Sequence, residues 1–156
     1  MNEKELLRKL GEETLYSAKG HFKAGDLRRQ LFTYTIWACA ALNVLNLIGI
    51  DPTIDKWVTA ISLFGMIALL LWNEGDGKDY RGKHKQVAER YLSLHKEIRL
   101  CYFLDSCDAS IVSKLNKEVT ALDMSEKPEI PGFAKRLAKK AIEQVDPETD
   151  NWFLNK

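Results

Sequence analysis

The sequence predicts an all-α fold: a two-helix transmembrane hairpin flanked by long cytoplasmic helices, with both termini cytoplasmic. Three observations predict it. Two stretches, Leu31–Ile50 and Trp57–Asn73, contain no charged residue at all. Only Asp51-Pro52-Thr53-Ile54-Asp55-Lys56 separates them, a connection short enough for antiparallel neighbours. Lysine and arginine then gather at the outer ends of the pair, with Lys19, Lys23, Arg28 and Arg29 before it and Lys78, Arg81, Lys83, Lys85 and Arg90 after it. Positive charge marks the cytoplasmic side, so the turn should face away from the cytoplasm.

Residues 1–30 read as a cytoplasmic amphipathic helical segment. Leu6, Leu7, Leu10, Leu15, Tyr16 and Phe22 form an uneven apolar face, and Gly20 or Gly25 is where a break is expected. Residues 31–73 are the hairpin, with spans at 31–50 and 57–73. The first has 20 residues, and on a rise of about 1.5 Å each that matches a hydrocarbon core of roughly 30 Å. Asp51-Pro52 ends it, because proline has no amide donor and restricts the residue before it. The second span is shorter, at 17 residues, and can reach further by snorkelling of Lys56. Glu74–Asp79 looks like a calcium loop only in its opening residues, since the oxygen ligands do not continue at the required spacing.

Residues 80–122 carry a long helical pattern. Val87, Tyr91, Leu94 and Ile98 share one stripe, and the phase shifts before Ile111, Leu115 and Val119. These seven residues are the expected packing face of one long cytoplasmic helix. Met124–Gly132, with Pro128 and Pro131, is a connector. Residues 133–145 form a short helix with Lys135, Arg136, Lys139 and Lys140 on a basic face, facing solvent or touching lipid headgroups or a nucleotide. The tail to 156 carries Trp152 and Phe153, a small docking anchor.

Composition narrows the function classes. A net charge of +1 gives no bulk electrostatic case for nucleic acid. The three cysteines, Cys39, Cys101 and Cys107, are too few for a disulfide framework, and reduced thiols are the simpler expectation. The charged first thirty residues hold no signal-peptide apolar region. A helical hairpin buried in a protein core is the competing reading of the apolar stretches. It would need the remaining, mostly charged residues to cover them.

Thr35, Cys39, Asn43 and Asn46 fall on one helical face, opposite a weaker polar face of Thr59 and Ser62. In hydrocarbon these groups must turn toward protein or water, so they either lock helices together or line a path in an oligomer. Arg28, Arg29, Lys56, Trp57 and Trp72 sit where membrane-interface residues belong. No catalytic motif occurs, and the histidines His21, His84 and His95 form no HExxH or comparable pattern. His95, Cys101 and Cys107 are spaced 6 and 6, unlike common zinc sites. The expectation is therefore a non-enzyme with no cofactor and no metal.

The order of elements resembles the bacterial SLATT family of two-transmembrane effector domains. The resemblance rests on Leu15-Tyr16-Ser17-Ala18-Lys19-Gly20-His21-Phe22-Lys23 ahead of the first span, on the close hairpin, and on His84–Arg99 after it. It implies a homo-oligomeric effector of antiphage or conflict systems in the bacterial inner membrane, permeabilising the bilayer when a nucleotide-sensing or other defence partner or a ligand triggers it. The alternative is a membrane-anchored adaptor that binds proteins through its cytoplasmic helices without conducting.

Overall fold

The computed structural model describes residues 2–46, 52–76, 79–104, 107–144 and 152–154, with side chains at all of these except 46, 52–54, 72–76 and 154. The all-α expectation holds. In chain order come α1 (Glu3–Asn46), α2 (Pro52–Asp76), α3 (Tyr80–Leu104), α4 (Ala109–Met124), α5 (Gly132–Glu143) and a 3-10 turn (Trp152–Leu154). They fall into two compact units, one of residues 1–25 with 83–156 and the other of residues 26–82.

The transmembrane expectation is overturned. Among the described residues no helix is long and apolar enough to cross a membrane. The apolar part of α1 runs from Leu31 to its end at Asn46, 16 residues, or about 24 Å of helix against the roughly 30 Å required. In α2 the side chains described after Lys56 run from Trp57 to Leu71, 15 residues that include Thr59, Ser62 and Gly65. Residues 47–50 of the first expected span lie outside the described residues. With the spans go the inner-membrane, multi-pass location, the bilayer as partner, and the membrane-permeabilising and membrane-anchored functions. The SLATT resemblance goes too, because the two spanning helices that define that layout are not found here.

The first unit is built on helix faces of regular spacing. In α4, Val112, Leu115, Val119 and Leu122 are buried at intervals of 3, 4 and 3. In α5, Ala134, Ala138 and Ile142 are buried at intervals of 4 and 4, and the basic residues occupy the other face. Leu7, Leu10 and Leu15 of α1 join Ile98, Val112, Leu115, Val119 and Ile142, with Trp152 and Phe153, in one core cluster. Each such aliphatic side chain contributes roughly 1.5–3 kcal/mol when fully buried. A second cluster gathers Ala18, Tyr91 and Leu122.

Two departures from the sequence reading shape this unit. The helix expected over 80–122 is two helices, α3 and α4. Asp108, in extended conformation, opens α4, its carbonyl accepting from the amides of Ile111 and Val112. Cys101 and Cys107 form a disulfide across the break, with Cα atoms 5.4 Å apart, where reduced thiols are the sequence expectation. In turn, α1 passes Gly11, Gly20 and Gly25 without a break. Gly11 has a packing reason: a Cβ there would come within 2.5 Å of the Trp152 ring.

The second unit is an antiparallel helix pair. Gly65 lies opposite Cys39, where an added Cβ would sit 3.6 Å from the Cys39 sulfur. One turn along, the Ser62 hydroxyl reaches Asn43 Oδ1 at 3.1 Å. Arg28 stacks its guanidinium 4.4 Å above the Tyr80 ring, within the range of cation–π attraction.

Candidate functional site

The polar residues expected to line a pore or lock the hairpin do different things. Thr35 and Thr59 donate back to the carbonyls of Leu31 and Asp55 one turn earlier, which satisfies each hydroxyl inside its own helix. Cys39 is buried and Asn43 half-buried. Asn43 Nδ2 donates to the Cys39 carbonyl at 2.8 Å while its Oδ1 accepts from Ser62. Ser62, though on the weaker polar face, is 1% exposed. These three tie the two helices together. The Asn46 and Trp72 side chains lie outside the described residues. Arg28 engages Tyr80, and Arg29, Lys56 and Trp57 are exposed. Their interface role falls with the membrane spans.

The outward faces of this pair are apolar. Tyr34 and Trp37 are each 69% exposed, Trp57 68%, Ile61 66%, Phe64 79% and Leu71 66%. Trp57, Ile61, Phe64 and Leu71 follow intervals of 4, 3 and 7, which is one stripe on α2. Tyr34, Trp37 and Val44 follow intervals of 3 and 7 on α1. A monomeric protein rarely leaves a contiguous apolar surface of this kind uncovered.

On the expected packing face of the first unit, Tyr91, Ile98, Leu115 and Val119 are buried. Val87 and Leu94 are half-buried against the second cluster, and Ile111 is 42% exposed with Val112 inward instead. Ile98 and Val112 are 14 residues apart, two whole heptads, so the inward face keeps its phase and the expected shift to Ile111 does not occur.

Sequence reasoning passed over a buried polar cluster in the same unit. Thr14, Ser17 and His21 recur at intervals of 3 and 4 on α1, and His84, Tyr91 and His95 at intervals of 7 and 4 on α3. That common spacing was the available signal. His21 and His84 are 1% and 0% exposed, with their Nδ1 atoms 2.8 Å apart. Such a contact needs one ring to donate through Nδ1 and the other to accept. Burial, then the charges expected of His84 and Lys127, lower the His21 pKa to about 4.

His95 Nδ1 donates to the Gly11 carbonyl at 3.0 Å, and Thr14 donates to the Leu10 carbonyl. The first ties α3 to α1 beside the Trp152 and Phe153 rings, and the second closes within α1. The Tyr91 hydroxyl donates to Asp123, and Lys127 Nζ donates to both Tyr91 Oη and Asp123 Oδ1, the latter at 2.9 Å. Burial pushes Asp123 up, but the hydrogen bonds from Tyr91 and Lys127 outweigh it and hold the carboxyl below its usual range. Burial, then the Asp123 charge and hydrogen bond, raise Glu13. Burial and the Asp123 carboxylate keep the Tyr91 proton in place.

Beside this network lies a groove of about 390 Å³, lined by Ser17, His21, Lys127, Pro128, Glu129, Ile130 and Lys135. Its chemistry suits binding better than proton transfer, because a histidine of such low pKa is a weak base near neutrality. The imagined metal set fails on chemistry: Cys101 and Cys107 are bonded to each other, and the described residues hold no group of three or more ligands suited to a metal. No family model, curated protein or solved structure matches the chain.

Proposed function

We propose that this chain is a non-enzymatic association module whose hairpin of α1 and α2 offers an apolar helical surface to the helices of a different protein. The observation that carries it is the pair of exposed stripes, Trp57-Ile61-Phe64-Leu71 and Tyr34-Trp37-Val44. Intervals of 3, 4 and 7 are the spacing at which one helix seats side chains between those of another. Aromatic residues head both stripes, and such anchors dominate association energies. The interior of the pair is meanwhile satisfied by the Asn43–Ser62 bond, so its outward faces are the part that remains to be covered.

Support for a non-catalytic role comes from the first unit. The histidine beside the groove is a poor base near neutrality, and Tyr91 is held protonated against Asp123. The test is affinity isolation of the full chain beside a Trp37→Lys/Phe64→Lys variant. Both substituted residues are exposed, so folding stability should change by no more than about 0.5 kcal/mol per site. The reading expects a stoichiometric protein partner with the native chain and none with the variant. The same proteins with both chains, or none with either, would overturn it.

A further inference from the structure

We propose that the groove between α1, the 127–131 connector and the start of α5 binds the phosphate group of a small hydroxylated molecule. The site is built from donors. His21, 1% exposed, forms part of the lining, and its Nδ1 is taken by His84. With Nδ1 engaged by His84, the ring's second nitrogen, Nε2, is the one that can meet a ligand in the groove. When His84 is the donor in that pair, His21 carries its proton on Nε2 and becomes a neutral donor for a bound oxyanion.

Lys127 adds a fixed cation. Two of its three N–H donors go to Tyr91 and Asp123, which anchors the ammonium at the groove wall and leaves a third. Lys135 brings a second ammonium from the first turn of α5, a 12-residue helix whose cap residue Pro131 supplies no side-chain hydrogen bond. Ser17, which also hydrogen-bonds Tyr91, adds a hydroxyl to the lining. Two ammoniums, a hydroxyl and an imidazole N–H suit the three terminal oxygens of a phosphate better than the two of a carboxylate. Glu129 is the acidic member of the lining and accepts from a hydroxyl of the same ligand. Pro128 and Ile130 give the wall an apolar strip for its carbon skeleton. The volume of about 390 Å³ is that of a small-molecule site.

This site does not depend on the hairpin, so its failure would leave the association reading standing. The experiment is NMR of the full chain titrated with glycerol 3-phosphate, with glycerol as control. The expected result is saturable shifts at Ser17, His21 and Lys135, with the His21 ring moving to the tautomer protonated on Nε2. Loss of one charge-assisted contact in Lys135→Gln should weaken binding roughly tenfold or more, and Lys135→Arg should restore most of it. Lys135 is exposed, so neither change threatens the fold. The proposal is overturned by an absence of saturable shifts, by equal affinity in Lys135→Gln, or by glycerol binding as well as its phosphate.

Discussion

At the scale of single residues, the His21–His84 contact makes the fold sensitive to acid. Burial keeps the His21 ring neutral where its Nδ1 meets that of His84 at 2.8 Å. The folded pKa of His21 is about 4 against an ordinary 6.5, so between those values the unfolded chain takes up a proton that the folded chain refuses. The stability contribution is therefore complete above about pH 6.5 and lost as the pH falls toward 4. At 1.36 kcal/mol for each pH step, chemical denaturation at pH 5 should show about 2 kcal/mol less stability than at pH 7. His21→Asn should lack most of that difference, and an equal loss in both proteins would contradict the assignment. Glu13, with its raised pKa, acts in the opposite sense, favouring the fold slightly as its carboxyl is protonated.

Gly11 supplies a second residue-scale expectation. Alanine ordinarily strengthens a helix by about 1 kcal/mol over glycine, yet here its Cβ would meet the Trp152 ring at 2.5 Å. Gly11→Ala should cost stability in the native chain, and become neutral or favourable once Trp152→Ala has emptied the space. A double-mutant cycle by thermal denaturation reads this directly. Additive effects would show that the tail is not seated on Gly11.

Among the elements, the break between α3 and α4 is held by the Cys101–Cys107 disulfide, which closes a loop with a sequence separation of 6. Closing a loop that short stabilises by about 2 kcal/mol in the chain-entropy account. Cys101→Ser with Cys107→Ser should lower unfolding stability by that amount, and addition of reductant should do the same to the native chain only. An unchanged denaturation midpoint would contradict the cross-link.

Much of the helical content was legible because periodicity reports it. The stripes of α3 and α4 and the two-sided character of 133–145 are written in residue spacing. What escaped was long-range. Spacing cannot tell that Cys101 and Cys107 meet, because the buried positions keep one phase from Ile98 to Val112 and so do not betray the helix break between them. Nor does it announce that His21 and His84, 63 positions apart, share a proton. The charge-free stretches misled because absence of charge is not the same as length of apolar helix. Thr33, Tyr34, Thr35 and Asn43 dilute the first of them.

For the whole molecule, the two units divide the work. One buries its apolar residues around a satisfied polar cluster; the other turns Trp37, Trp57 and Phe64 outward. The central claim is that protein covers those outward faces in the cell. The most direct measurement is photo-crosslinking from a benzophenone side chain placed at Phe64 or Trp37, with Lys85 and Glu97 as exposed controls in the other unit. The account predicts a discrete protein adduct from both hairpin positions and none from the controls. Adducts with lipid, with a second copy of the chain, or with nothing at all would contradict it.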